Sequence, residues 1–247
     1  MSIDLNAIIS FINNQNQRIV NLEHNLNKQN LHMNLIKDKS QSFSQYSQDL
    51  FVLSILNHKK NGYFIDFGAT DGIFLSNSYL LERDYGWSGI LAEPAKCWHN
   101  SLFLNRKSHI DTRCVWTESN QLINFIEADV AELSTISDFT SNDIHGSTRA
   151  LNSNSYSVKT VSLNDLLYFY NAPSEIDYLS IDTEGSEFLI LEHFNFNKYK
   201  IKIITVEHNW TSNRELIHKL LTGHNYKRMH LDLTDCDDWY VLDSVAG

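Results

Sequence analysis

The stretch YFIDFGATDG (63–72) combines a hydrophobic strand with a glycine-containing turn. Such turns usually bind phosphate, because free backbone N–H groups and a helix N-terminus attract anions. Here Asp66, Gly68 and Gly72 form D-x-G-x-x-x-G, so a carboxylate replaces the first glycine of the dinucleotide fingerprint G-x-G-x-x-G. A second carboxylate, Asp71, lies inside the turn. Because these acids would repel a pyrophosphate, the turn favours a nucleoside ligand without phosphate and with positive groups.

S-adenosylmethionine fits this description, since it carries a sulfonium and an ammonium group and no phosphate. Glu93 ends the next predicted strand, where a carboxylate can accept hydrogen bonds from both hydroxyls of a ribose. The alternative is a tight turn whose acids cap the following helix. The residues predicted from this pattern to bind the cofactor are Asp66, Gly68, Asp71, Gly72 and Glu93.

Composition restricts the class of protein. The chain has 247 residues, 42% of them hydrophobic, and a formal net charge of −10, which disfavours a nucleic-acid-binding face. The three cysteines lack metal-type spacing and indicate reduced thiols. No secretory signal and no run of about 20 apolar residues is visible, so we expect a cytoplasmic protein without a membrane span.

Residues 5–36 keep a heptad pattern in which eight of ten seam positions are apolar. A repeat of this length predicts a coiled coil, and hence a homo-oligomer. The alternative is one amphipathic helix packed on its own domain. We therefore divide the chain into a coiled-coil oligomerisation helix (1–38) and a globular domain (39–247).

The globular part alternates strand-like and helix-like segments, which indicates an α/β sheet. Predicted strands are 63–67, 89–93, 113–117, 122–127, 176–182 and 201–208, followed by two antiparallel strands around DCDD (235–238). Predicted helices are 49–56, 76–84, a segment ending at 105, 162–170, 186–194 (with a Ser186 cap) and 214–222. Residues 128–156, rich in Ser, Thr and Asn, are predicted to be irregular.

The ordered motifs of residues 43–243 resemble those of the FkbM-type methyltransferases; they are SQYSQDLFVL, FIDFGATDG, SNSYLLERDYGWSGILAEP, IDYLSIDTEGSEFLIL and ITVEHN. The resemblance implies a class I methyltransferase (Rossmann-like), mostly parallel sheet with an antiparallel C-terminal hairpin. It also implies S-adenosylmethionine-dependent O-methylation, often of sugars. Matching positions add Gln45, Ser76 and Asn77 to the predicted cofactor residues. Thr70 departs from the asparagine that the family often has, and 128–156 carries little family signature.

Two groups of polar residues follow later strands, and we predict that they serve catalysis. Asp182 and Glu184 lie in the turn after one buried strand, and Glu207 and His208 end the next. Transfer of a methyl group to a hydroxyl needs an aligned oxygen and a base for its proton. His208 is a natural base, with Asp182 orienting it or acting as the base itself. The alternative is that these groups only cap a helix and end a strand.

The same groups could hold Mg²⁺ or Mn²⁺, although the sequence assigns no residue as a metal ligand. The acids of DCDD are interpreted as a solvated turn. For a nucleotide-linked acceptor, the basic candidates for its diphosphate are Arg106, Lys107, Arg149 and Lys159.

The leading hypothesis is therefore an O-methyltransferase acting on a nucleotide-linked sugar or on a surface or capsular glycan. Alternatives are methylation of a non-sugar natural-product hydroxyl, a nicotinamide oxidoreductase, and a coiled-coil scaffold with a silent methyltransferase-like domain.

Overall fold

The computed structural model describes residues 9, 12–20, 22, 41–140, 146–149, 152–230 and 233–246. The chain separates into two units, Met1–Ser40 and Gln41–Gly247. In the first unit residues 12–20 are helical, and the seam residues Ile12, Ile19 and Leu22 are 50%, 51% and 67% exposed. Much of the predicted coiled coil (5–36) lies outside the described residues.

The second unit is built on a seven-stranded sheet. In chain order its strands are β1 (Tyr63–Phe67), β2 (Ser88–Ala92), β3 (His109–Asp111), β8 (Glu175–Ile181), β9 (Lys200–Glu207), β10 (Tyr226–Met229) and β11 (Asp237–Leu242). Their spatial order is β10-β11-β9-β8-β1-β2-β3. β3, β2, β1, β8 and β9 are parallel, whereas β11 is antiparallel to both of its neighbours. The predicted fold, with its antiparallel C-terminal strands, is confirmed.

The parallel strands are hydrophobic because helices cover both faces of such a sheet. Phe64, Ile65, Leu91, Leu179 and Ile204, for example, are at most 1% exposed. β1 lies between β2 and β8. β2 and β3 follow on one side of β1, and the later strands β8 and β9 lie on its other side, so the strand order reverses at β1. Such a switch point opens a crevice at the carboxyl ends of the strands.

The helices connect these strands. They are α1 (Gln48–Ile55), α2 (Tyr79–Tyr85), α3 (Lys96–Asn105), α4 (Gly146–Arg149), α5 (Leu163–Phe169), α6 (Glu187–Glu192), α7 (Asn213–Gly223) and α8 (Asp243–Ala246). α2 ends at Gly86, whose left-handed backbone (φ 68°) is a conformation that glycine adopts without strain. Within the described residues, no helix is long and apolar enough to cross a bilayer.

A second sheet of four strands lies beyond β3 in sequence. It contains β4 (Cys114–Trp116), β5 (Leu122–Ala128), β6 (Thr135–Ile136) and β7 (Ser153–Ser162), in the order β4-β7-β5-β6. The prediction that 128–156 is irregular is wrong for β6 and for the first residues of β7, which lie within this segment. The first half of β7 faces solvent, so its Ser and Asn residues lack the hydrophobic alternation that marks a strand. The three-residue strand β3 was also not predicted.

The DCDD segment is not a solvated turn. Asp237 and Asp238 are 4% and 1% exposed and begin β11. Asp238 accepts two hydrogen bonds from Arg214, at 3.0 and 2.8 Å, and one from Arg228 at 3.2 Å. Arg214 and Arg228 lie in other elements, α7 and β10, so no local sequence pattern indicates that the aspartates are buried.

Candidate active site

A cavity of about 350 Å³ lies at the carboxyl ends of β1, β2, β8 and β9. Of the twelve predicted site residues, seven line it: Gln45, Gly68, Asn77, Glu93, Asp182, Glu184 and Glu207. Asp66, Asp71, Gly72, Ser76 and His208 lie outside this lining. We call this space the main cavity.

Gly68 allows the loop after β1 to approach β8. Its φ is 76°, and a Cβ at this position would stand 2.1 Å from the backbone oxygen of Asp182. Only a residue without a side chain fits between the two strand ends. The glycine thus opens the floor of the main cavity by keeping the loop close to the sheet.

Asp66 lies behind this loop in a buried polar cluster. Its Oδ2 accepts a hydrogen bond from Ser78 Oγ at 2.5 Å, and Arg106 Nη2 donates to the same hydroxyl at 2.9 Å. Burial raises the pKa of Asp66, while Ser78 and Arg106 oppose that rise. Arg106 also pairs with Glu82 at 2.9 Å. Asp66 therefore stabilises the base of the loop and does not face the cavity.

The remaining predicted loop residues also shape the turn. Asp71 Oδ1 accepts hydrogen bonds from the backbone N–H groups of Ile73 and Phe74, at 2.8 and 2.7 Å. Gly72, with φ 85°, lies against Arg106, whose Cγ would be 2.5 Å from an added Cβ. Ser76 Oγ accepts from the N–H of Tyr79 at 3.1 Å. These contacts stabilise the turn itself; Asp71 bonds to N–H groups of the loop and not to those of α2, which begins at Tyr79.

Glu93 forms the middle of the cavity wall. Its Oε2 accepts from the N–H of Thr70 at 2.9 Å, and its Oε1 from the N–H of Ala95 at 2.8 Å. Burial raises the pKa of Glu93 to about 7, although both hydrogen bonds oppose the rise. Each carboxylate oxygen has a second lone pair, so the group can still accept from two hydroxyls.

Beside Glu93 the main cavity is apolar. Trp98, Cys114, Val115, Phe125 and Ile136 line this end, from α3, β4, β5 and β6. Apolar and aromatic side chains of this kind can pack against a planar aromatic base. Sequence reasoning missed these residues, because the second sheet that brings them together was not predicted as a unit.

The opposite end is acidic. Asp182 and Glu207 lie side by side, with a carboxylate oxygen of each within 4.8 Å of the other. Burial raises the pKa of Asp182 to about 7, and burial together with the neighbouring Asp182 charge raises that of Glu207 well above its usual range. A carboxyl pair that shares one proton can accept a proton from a substrate at neutral pH.

Glu184 extends this acidic end. It follows β8 with a left-handed backbone (φ 58°). Arg149 Nη2 donates to its Oε2 at 2.5 Å, and Asn209 Nδ2 donates to the same oxygen at 3.1 Å. Arg149 is only 1% exposed and its Nε also donates to the backbone oxygen of Leu133 at 2.6 Å. Arg149 thus joins the 128–156 segment to the carboxylate.

The turn that carries these acids is stabilised by Glu187. Its Oε1 accepts hydrogen bonds from the N–H of Thr183, the hydroxyl of Thr183 and the N–H of Gly185, at 3.0, 3.0 and 2.9 Å. The predicted side-chain cap by Ser186 does not form; its hydroxyl donates to Thr183 Oγ1.

His208 is buried beside the main cavity. Its Nδ1 accepts from the N–H of Trp210 at 3.1 Å, so in the neutral ring the proton is on Nε2, which lies 3.7 Å from Asp238 Oδ1. Both nitrogens face protein groups. His208 borders a second polar cavity of about 270 Å³, which shares Glu207 and Asn209 with the main cavity. This position favours Asp182 and Glu207 as the base.

The ionisable side chains of Asp, Glu, Lys and Arg type that line the main cavity are all acidic among the described residues. Six carboxylates line it (Glu93, Glu132, Asp182, Glu184, Glu207 and Asp235), and no lysine or arginine of the described residues does. The proposed diphosphate candidates Arg106 and Arg149 are instead buried in ion pairs with Glu82 and Glu184.

Residues 66–236 match the methyltransferase FkbM domain family. The chain belongs to this family. The match spans every strand end that borders the main cavity. It confirms the family resemblance and identifies the globular unit as a methyltransferase domain. No curated protein sequence matches the chain.

Two solved structures are similar to this chain over most of its length. Precorrin-6y C5,15-methyltransferase from Geobacter metallireducens GS-15 is 9% identical, with a TM-score of 0.42 over 78% of this chain and 85% of that one. A fibrillarin/Nop5p complex is 10% identical, with a TM-score of 0.38 over 80% and 83%. At these scores the likeness adds nothing to the family assignment.

Proposed function

We propose that this FkbM-family chain is an S-adenosylmethionine-dependent O-methyltransferase acting on a sugar hydroxyl. The observation that carries the proposal is the lining of the main cavity, which is apolar at one end, has Glu93 in the middle and is acidic at the other end. A cationic nucleoside matches these three zones in order. Family membership supports the same methyl donor.

The residues present fit this cofactor. The apolar end would receive adenine, Glu93 would accept from the ribose hydroxyls, and Gly68 leaves room for the ligand against the loop. Asn77 Oδ1 is buried and has no donor among the described residues, while its Nδ2 donates to Ser180 Oγ at 2.9 Å. An ammonium group would satisfy that oxygen. Gln45, another predicted cofactor residue, also lines the main cavity. When bound, S-adenosylmethionine supplies an electrophilic methyl group.

The carboxyl pair of Asp182 and Glu207 would take the proton of the acceptor hydroxyl. When only one of the two carboxyl groups is protonated, the other still has a carboxylate oxygen that can accept a proton beside the cavity. Burial raises the pKa of Asp182 to about 7, which suits a general base. His208 would hold the backbone after β9 through its bond to Trp210.

Two features favour a sugar acceptor. The second polar cavity is lined by amides, hydroxyls and carboxylates, including Asn209, Thr211, Ser212 and Asn213. Trp210, at the rim of the main cavity, is 58% exposed, so its ring is available to stack on a sugar face. Because the main cavity carries acids and no described basic side chain, an uncharged glycan hydroxyl suits it better than a nucleotide diphosphate.

Calorimetry with S-adenosylmethionine and with NAD tests the cofactor assignment. We expect saturable binding of S-adenosylmethionine and none of NAD; the reverse would restore the oxidoreductase hypothesis. Formation of S-adenosylhomocysteine in the presence of neutral oligosaccharides, compared with nucleotide-linked sugars, tests the acceptor. Turnover confined to nucleotide-linked sugars would contradict the uncharged acceptor, and binding without turnover on any hydroxyl compound would favour the silent scaffold.

A further inference from the structure

A small recess adjoins the acidic end of the main cavity. Its volume is about 10 Å³, and its lining includes Asn77, Asp182, Glu207 and Asp237. A space of this size accommodates one water molecule or one ion. Asp182 and Glu207 also line the main cavity, so an occupant of the recess would lie next to the transferred methyl group.

Two buried carboxylate oxygens on this recess have no hydrogen-bond donor among the described residues: Glu207 Oε2 and Asp237 Oδ1. Asp237 is 4% exposed, and its Oδ2 already accepts from Gln48 Nε2 at 2.9 Å and Trp239 Nε1 at 2.6 Å. Both unsatisfied atoms are acceptors. Buried acceptors without partners are destabilising, so the recess has the character of a cation site.

A separate feature of the cluster is the spacing of its carboxylate oxygens. One carboxylate oxygen from each of Asp182, Glu184 and Glu207 can be chosen so that all three lie within 4.8 Å of one another. Two oxygens on opposite sides of one ion are about 4.2–4.8 Å apart when each bond is about 2.1–2.4 Å, the range for Mg²⁺ to Ca²⁺. The three carboxylates can therefore share one ion.

We propose that Asp182 and Glu207, with Glu184, bind one divalent cation of the Mg²⁺ or Mn²⁺ class. This proposal rests on the proposed function for its role, but not for its test. The donor set is oxygen only, which selects hard cations over zinc. The ring nitrogens of His208 face Trp210 and Asp238 and so do not join the set. Glu184 keeps its ion pair with Arg149, which leaves Asp182 and Glu207 as the principal ligands.

The cation would bind the acceptor oxygen and lower the pKa of its hydroxyl. The O–H bond then breaks and its proton passes to the second carboxylate oxygen of Glu207. The new O–C bond forms as the C–S bond of the donor breaks, and that electron pair stays on sulfur. Charge and atoms balance without any further reactant.

The test uses Mn²⁺ alone, with the full-length protein and no S-adenosylmethionine. Titration followed by the electron paramagnetic resonance signal of free Mn²⁺ should show one site per chain. Asp182→Asn and Glu207→Gln should each weaken binding at least about tenfold, since each removes a charged ligand. Glu132→Gln, which removes a carboxylate from the same cavity but not from the cluster, should bind as the wild type does.

Displacement of Mn²⁺ from the wild-type protein by Mg²⁺ adds a measurement that needs no variant. Absence of a saturable site at millimolar Mn²⁺, or binding that Asp182→Asn and Glu207→Gln leave unchanged, would overturn the proposal. Binding of S-adenosylmethionine by the same samples shows that the variants are folded. If the cofactor binds and Mn²⁺ does not, the metal proposal fails and the proposed function stands.

Discussion

Replacement of Glu93 by glutamine is the sharpest perturbation of the proposed cofactor site. The change keeps the size of the side chain and removes its charge. Hydrogen bonds to a charged group contribute about 1.5–3 kcal/mol. Because about 1.4 kcal/mol corresponds to a factor of ten, affinity for S-adenosylmethionine should fall roughly 10- to 150-fold. Glu118→Gln, an exposed position outside the cavity, controls for the change in net charge.

The same substitution affects the fold, and the two effects must be measured separately. Glu93 accepts from the N–H groups of Thr70 and Ala95, and an amide has only one acceptor oxygen. One buried N–H would lose its partner, at a cost of about 1–3 kcal/mol in the free energy of unfolding. Calorimetry gives the affinity and thermal unfolding gives the stability. A folded Glu93→Gln protein with wild-type affinity would refute the ribose assignment.

The pKa of Glu93 adds a pH dependence with a definite sign. In the folded protein it is raised from 4.5 to about 7, so folding takes up a proton. The stabilising contribution of Glu93 is complete below pH 4.5 and is lost as the pH rises through 7. The unliganded wild type should therefore lose more stability over this interval than Glu93→Gln. Equal slopes would show that Glu93 is already ionised at low pH.

Three further predictions concern the loop, the base and the N-terminal helix. Gly68→Ala should destabilise the fold by on the order of 1–3 kcal/mol more than Gly223→Ala, where an added Cβ meets no atom within 4 Å, and equal melting temperatures would contradict this. Asp182→Asn or Glu207→Gln should lower turnover about 10²–10⁴-fold with little change in cofactor affinity, and near-normal turnover in both would place the base elsewhere. We propose that residues 5–36 form a coiled coil. Removal of residues 1–38 should therefore lower the number of chains per assembly measured by light scattering, and a monomeric full-length protein together with a monomeric truncated protein would exclude the coiled coil.

The sheet could be predicted because each of its main strands is marked by its own residues, without reference to distant contacts. Runs such as YFIDF and IDYLSI are hydrophobic, bounded by turn residues and followed by helical segments, so their burial follows from composition. The carboxyl ends of parallel strands meet at one edge. Gly68, Glu93, Asp182 and Glu207 could therefore be grouped before any coordinates were known.

The rest of the site depends on contacts that are distant in sequence. The apolar end needs β5 and β7 to pair, and the polar first half of β7 concealed that strand. Asp66 lies in β1 and Asp71 in the turn that follows, and their side chains bond to Ser78 and to backbone N–H groups. Motif spacing specifies the backbone turn and not the direction in which each carboxylate points.

A crystal structure of the complex with S-adenosylhomocysteine would show directly whether the cofactor occupies the main cavity. We expect adenine beside Phe125 and Trp98, and both ribose hydroxyls within hydrogen-bond distance of the Glu93 carboxylate. The sulfur should face Asp182 and Glu207. A ligand bound elsewhere, or one in the main cavity whose ribose does not contact Glu93, would contradict it.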